Sequence, residues 1–178
     1  GWLTYASDEK ILARDSYINS DSTPSTSWIG TVPTTAEGDL MVAVIMSRSG
    51  GGILTPPTGW TKEGNSYLSD ILSAGQPQTL TVFTKVAEAS EPATATWTQA
   101  SSSRICGFLV SMVGDNFTMG TVAQAYGNGQ DASISNTGAD FYITAATWVY
   151  ATSASPEPYS QTGPGLTEIS DSPIQQSR

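Results

Sequence analysis

Gly38-Asp39-Leu40-Met41-Val42-Ala43-Val44-Ile45, Thr55-Pro56-Pro57-Thr58-Gly59-Trp60-Thr61, Leu80-Thr81-Val82-Phe83-Thr84-Lys85-Val86-Ala87 and Glu91-Pro92-Ala93-Thr94-Ala95-Thr96-Trp97-Thr98 follow one another along the chain. Read in order, they give a strand, a Pro-Pro turn carrying a Gly-Trp pair, and two more strands. Residues 40–46 are almost continuously apolar and of strand length, the pattern of a strand covered on both faces. Residues 79–86 alternate imperfectly, with Leu80 and Val82 on one face and Thr81, Phe83 and Lys85 on the other, so both faces read as partly covered. Residues 93–98 alternate cleanly: Ala93, Ala95 and Trp97 share one face, and three threonines share the wetter one.

The same reading extends in both directions. Trp28-Ile29-Gly30-Thr31-Val32-Pro33 is a strand that Pro33 stops or forces to an edge. Residues 104–113 form the next strand after Trp97, and residues 65–78, with Gly, Ser, Pro and Asn around Tyr67-Leu68 and Ile71-Leu72, read as a long surface excursion with room for one helical turn. Gly50-Gly51-Gly52 is a hinge in a hairpin loop; a phosphate cradle would need Gly-Lys-Ser/Thr opening a helix, and none follows. Beyond residue 113, residues 118–126 and 133–135 are short strands around the turn Gly127-Asn128-Gly129, and Asp140-Phe141-Tyr142-Ile143-Thr144-Ala145-Ala146-Thr147-Trp148-Val149-Tyr150 restores a long one. Strands at this spacing, punctuated by turn residues, predict an all-β, antiparallel β-sandwich with long loops.

Composition agrees with that class. The chain has 178 residues, 38% hydrophobic and only 13% charged. That is enough for one domain to bury a core without staples. Ser, Thr and Gly build the surface, and the usual helix fillers Lys, Arg and Glu are scarce. The net charge of −9 argues against nucleic acid as a partner, because phosphate binders need a basic footprint. Cys106 is the only cysteine, and the chain has no histidine. An internal disulfide and a thiolate zinc site are therefore excluded, and Cys106 reads as a small core residue rather than a nucleophile with its base. No apolar run approaches the roughly 20 residues of a membrane helix, and no basic region precedes an apolar core at the start. A soluble chain without membrane insertion or an export signal is expected.

Three segments emerge. Residues 1–20 form an extended N-terminal arm in which Tyr17 and Ile18 pair at most as a short edge strand. Trp2, Leu3 and Tyr5 in that arm are large apolar groups that call for a covering surface, and they are the candidate assembly contacts. Residues 21–170 form the sandwich domain, and residues 171–178 form a polar tail. An order of strand, loop, Pro-Gly turn and apolar anchor occurs twice, starting at Gly38 and at Ala139, as two similar β-units facing across a core would show. Chance similarity of turn-rich stretches accounts for it equally well. The second unit ends early, leaving a sheet edge of the kind that oligomers cover.

At Gly38-Asp39-Leu40, Pro57-Thr58-Gly59-Trp60-Thr61, Lys85-Val86-Ala87 and Thr96-Trp97-Thr98 the chain resembles a β-sandwich domain that recurs in structural proteins of tailed phages. The resemblance covers residues 28–115. It implies jelly-roll character and a non-enzymatic place in the virion, as a capsid decoration protein or a tail or fibre component. It also implies a homotrimer or other symmetric homo-oligomer in contact with capsid or tail proteins, assembled in the host cytoplasm. Asp39, Gly59, Trp60 and Trp97 are the anchors of that fold.

No residue set reads as a catalytic centre. Sugar hydrolysis needs two carboxylates about 5–10 Å apart. Asp39 with Asp140, or Glu63 with Asp70, are the pairs on offer, but Asp39 and Asp140 both sit where a side chain bonds turn amides. Asp115-Asn116 and Asn128-Gly129-Gln130-Asp131 carry oxygen ligands for calcium but lack an EF-hand series, so no metal and no cofactor is expected. Trp2, Trp28, Trp60, Trp97 and Trp148 could stack on sugars if several faced solvent together, Trp2 and Trp28 being the better exposed pair. That gives the alternative function, a carbohydrate-binding module of a fibre or an extracellular protein, with a host surface glycan as partner.

Overall fold

The computed structural model describes residues 12–20, 23–47, 54–69 and 78–113, all of them strand, turn or loop. The strands are β1 (Leu12–Ser20), β2 (Ser25–Thr31), β3 (Leu40–Ser47), β4 (Thr61–Ser69), β5 (Gln78–Val86), β6 (Thr94–Ser103) and β7 (Ile105–Val113). They form a five-stranded sheet in the order β1-β7-β3-β5-β4 and a two-stranded sheet of β2 and β6. Every pairing is antiparallel. The two sheets pack face to face, so the described part of the chain is an all-β sandwich. Jelly-roll connectivity requires eight strands in two Greek keys, and the described residues hold seven.

The core between the sheets follows from the alternation in each strand. Met41, Ala43 and Ile45 of β3, Phe83 of β5 and Leu109 of β7 meet Trp28 of β2 and Ala95 and Trp97 of β6, with Leu54, Trp60 and Ile105 closing the cluster. Trp97 stands at its centre, with ring centroids 5.4 Å from Trp28, 5.1 Å from Trp60 and 6.1 Å from Phe83. Such tilted and edge-on pairs add to the area that the rings bury. The Trp28 ring lies so close over Gly107 of β7 that a Cβ there would stand 2.5 Å from it. Glycine at that point lets the two sheets approach across an indole.

β3 is buried along its whole length, as its apolar run predicts. Leu40, Val42 and Val44 point away from the two-stranded sheet and form a second cluster with Val110 and Met112 of β7.

Two expectations are corrected. Residues 12–20, read as part of an arm, are a full strand paired with β7 from Leu12 to Ser20, at the edge of the sheet among the described residues. Residues 65–69, read as the start of a surface excursion, are the second half of β4. Both strands contain irregularities. In β1, Ala13 pairs with Met112 and Asp15 with Ser111, leaving Arg14 as a bulged extra residue. In β4, Glu63 pairs with Val82 and Tyr67 with Leu80, so the strand gains residues around Gly64, whose φ is 62°. A bulge breaks the two-residue period by which a strand is read. Residues 1–11 with Trp2, Leu3 and Tyr5, the Gly50-Gly52 hinge, Asp70, the strands expected after residue 113, Asp140, Trp148, both calcium candidates and the tail 171–178 lie outside the described residues.

Candidate functional site

The candidate site is built around Asp39, the last residue of the turn that leads from β2 into β3. Arg14, turned out of the β1 ladder by its bulge, donates from Nε to Asp39 Oδ2 at 2.5 Å and from Nη2 to Oδ1 at 3.2 Å. The Ala36 N–H donates to Oδ2 at 2.8 Å, and the Ser111 hydroxyl on β7 donates to it at 3.2 Å and to Thr35 Oγ1 at 2.9 Å. One carboxylate thus ties together β1, the β2–β3 turn, β3 and β7. Next to it, Asp15 accepts from the Thr34 N–H at 2.6 Å and from the Ser16 N–H at 2.8 Å.

The electrostatics follow from these bonds. Asp39 is almost fully buried, and desolvation alone would favour its neutral form. The Arg14 hydrogen bonds outweigh that penalty, assisted by the Ala36 amide and Ser111, and hold the carboxyl at about 2. Arg14 is correspondingly raised by its bond to Asp39. The Thr34 amide lowers Asp15 in the same sense. Asp39 is therefore ionised at neutral pH, saturated by donors and closed to solvent. Proton transfer to a bound substrate needs a carboxyl whose pKa lies near the working pH and whose oxygen can reach the substrate; Asp39 has neither property.

The other motif residues converge on the same end of the core. Gly38 N donates to Ala87 O at 2.9 Å and Ala87 N donates to Asp39 O at 2.8 Å, which joins the Gly-Asp-Leu segment to the Lys-Val-Ala segment. Trp60 N donates to Pro57 O at 3.2 Å and closes the turn between them. Gly59 has a φ of 86° there, the left-handed value that a type II turn requires at its third position. A Cβ on Gly59 would meet Lys85 Cε at 3.1 Å. Lys85 in turn reaches Glu91 at 2.8 Å, with only 9% and 5% of the two side chains exposed, while the other Glu91 oxygen accepts the Glu88 N–H at 2.7 Å. Trp60 then packs edge-on against Trp97 of the Thr-Trp-Thr strand. The four sequence motifs are thus one contiguous cluster.

Of the carboxylate pairs read from sequence, Asp39 and Glu63 are described. Glu63 accepts from the Thr84 hydroxyl at 2.5 Å and lies on β4, remote in the sheet order from Asp39 at the start of β3. Among the described residues no three of His, Cys, Asp and Glu gather as a metal site. Trp28, expected to be exposed beside Trp2, is instead 1% exposed. Trp60 and Trp97 are buried as well, so these three rings present no stacking platform. Burial pushes the Cys106 thiol up to about 12, which makes it a poor nucleophile at neutral pH.

Sequence reading missed several polar residues that organise the site. Arg14 and Ser111 are the partners of Asp39. At the opposite end of β3, the Ser47 hydroxyl donates to Gln99 Oε1 at 2.5 Å, and Gln99 Nε2 donates to Ser25 O and Ser103 Oγ, both at 2.9 Å, linking β3, β6 and β2. The one available signal was a polar residue at a buried register position: Gln99 continues the inward series Ala95-Trp97.

No family model matches the chain, and neither a curated protein nor a solved structure matches it.

Proposed function

We propose that this chain is a non-enzymatic structural protein of a tailed-phage virion, a capsid decoration protein or a tail or fibre component, that acts through homo-oligomeric contacts and contacts with other virion proteins. The observation that carries the reading is the convergence of Gly38-Asp39-Leu40, Pro57-Thr58-Gly59-Trp60, Lys85-Val86-Ala87 and Thr96-Trp97-Thr98 into one structural cluster. These are the residues on which the resemblance to phage structural domains rests, and here they act on one another rather than on a ligand. A saturated, solvent-excluded Asp39 fits a joint in a scaffold. Sandwich edges and an apolar N-terminal segment supply surfaces for self-association. Jelly-roll connectivity, a trimeric state and assembly in the host cytoplasm belong to the same reading.

Mass spectrometry of density-purified particles from the source lysate tests it. Peptides of this chain at the abundance of a structural component support the proposal. Their absence from particles, with the protein present in the surrounding lysate, overturns it.

A further inference from the structure

Phe83, Lys85 and Ala87 alternate along the end of β5, and the first and last of them belong to the core between the sheets. Lys85 stands opposite Met41 of the same core, so the strand's period puts a lysine on the face that builds the sandwich interior. Its side chain is 9% exposed and meets a Glu91 side chain that is 5% exposed. A buried ion pair is seldom worth more than the apolar pair that could replace it. Stability by itself therefore does not account for these two residues.

The groups around the pair have the layout of an acyl transfer. Lys85 Nζ lies 2.8 Å from Glu91 Oε2, and a lysine taken out of water is the kind that serves as a nucleophile. The other carboxyl oxygen, Glu91 Oε1, accepts the Glu88 N–H at 2.7 Å. That backbone donor stands where negative charge would develop if Nζ attacked the carboxyl carbon. The Glu88 carboxylate reaches to 3.8 Å from Nζ and is 72% exposed, which puts a proton acceptor beside the nucleophile on its solvent side.

We propose that Lys85 and Glu91 condense to an intramolecular isopeptide bond, made by the folded chain on itself. A proton passes along the hydrogen bond from Nζ to Oε2, leaving an amine and a carboxylic acid. The Nζ lone pair then attacks Glu91 Cδ, and the carbonyl electron pair moves onto Oε1 beneath the Glu88 N–H. The Glu88 carboxylate takes a proton from Nζ and passes it to the Oε2 hydroxyl, which leaves as water while the pair on Oε1 restores the carbonyl. An ammonium and a carboxylate have become an amide and one water, with no other reactant. Holding the two groups in contact supplies the effective concentration that the step needs, and burial keeps out the water that would reverse it. The bond closes a ring from the end of β5 through the loop to β6, beneath the Gly59 turn that already crowds the Lys85 stem. The inference stands apart from the virion reading and survives its failure, since one reaction of a chain with itself needs no partner and makes it no enzyme.

Intact-mass spectrometry of the full chain, denatured after it has stood folded at neutral pH, tests the bond. The mass is expected to be lighter by one water than the sequence requires. Trypsin should pass over Lys85, and fragmentation of the peptide that contains it should give no breaks between residues 85 and 91. A chain of full mass that trypsin cleaves at Lys85 overturns the inference. Lys85→Met should restore the full mass of its sequence, and a loss of water that persists in this variant places the loss elsewhere and also overturns it. Glu88→Gln changes an exposed side chain and leaves the Lys85–Glu91 pair in place, so it reads the chemistry even if Lys85→Met fails to fold. It is expected to be recovered with at least a tenfold smaller condensed fraction than the parent, and complete condensation in Glu88→Gln overturns the role given to Glu88.

Discussion

Arg14 Nε stands 2.5 Å from Asp39 Oδ2, and the pair joins the bulge of an edge strand to the turn that starts the central strand. The Asp39 side chain is 3% exposed and that of Arg14 34%, so the two ends of the bond differ in what they lose when it breaks. Without Arg14 a buried carboxylate keeps only neutral donors. Without Asp39 the guanidinium can turn to water, but the Ala36 amide and the Ser111 hydroxyl lose an acceptor.

Asp39→Ala is therefore expected to cost about 2–4 kcal/mol of unfolding free energy in urea titration, within the range for breaking one side of a buried, hydrogen-bonded charge pair. Arg14→Met should cost clearly less, because water screens its partly open side chain. In the double variant the losses should be clearly sub-additive, since both substitutions remove one bond. Strict additivity would mean that the pair contributes nothing as a pair.

The same joint sets an acid limb. The Asp39 carboxyl lies near 2 in the folded chain and near 3.9 when unfolded. A group depressed on folding contributes stability that is complete above its unfolded value and is lost as pH falls through the folded one. The contribution is about 2 kcal/mol at most, given the open side of Arg14. Asp15 is lowered too and acts with the same sign. The urea midpoint should hold from pH 7 to about pH 5 and fall between pH 5 and pH 2. In Arg14→Met the fall should be shallower. An equally steep fall in that variant would assign the acid limb to other carboxylates.

Much of this architecture was legible because β3 is buried without a break and β6 alternates without fault from Thr94 to Gln99. β1 hid itself. Ala13 and Ile18 both lie on the far face, opposite Met112 and Phe108, though five positions apart, and a strict two-residue period would put them on opposite faces. The Arg14 bulge that breaks the period is also what aims Arg14 at Asp39, so one irregularity concealed both the strand and the site. β4 was lost in the same way at Gly64. The Arg14–Asp39 bond spans 25 residues, and nothing local in either segment announces it.

The Gly59 turn offers a test of the motif cluster by itself. Gly59→Ala places a side chain at a φ of 86°, which costs an L-residue roughly 1–2 kcal/mol, and adds a Cβ 3.1 Å from Lys85 Cε. The Lys85 stem can shift, but only by disturbing the Lys85–Glu91 pair beneath the turn. The expected loss is about 1–3 kcal/mol by thermal or urea denaturation. Gly59→Asn should recover part of it, because asparagine tolerates the left-handed region better. Equal loss in both variants would shift the cause from backbone strain to the crowded Lys85 contact.

Self-association supplies the last prediction, and the structure changes how it must be tested. Deleting residues 1–20 would remove β1 along with the arm, exposing the edge of β7 and leaving Asp39 without Arg14. Any loss of assembly would then be ambiguous. Deleting residues 1–11 takes away Trp2, Leu3 and Tyr5 and leaves the β1–β7 ladder from Leu12 to Ser20 in place. If those three side chains are the assembly contacts, the full chain should give an oligomeric mass, a trimer on the present reading, by light scattering after size exclusion at two concentrations. The shortened chain should then dissociate at the lower concentration while its urea midpoint stays within a few tenths molar of the parent. An unchanged oligomer after that deletion would assign the contact to the sandwich itself, where the open edges of β2 and β4 among the described strands are the next surfaces to block.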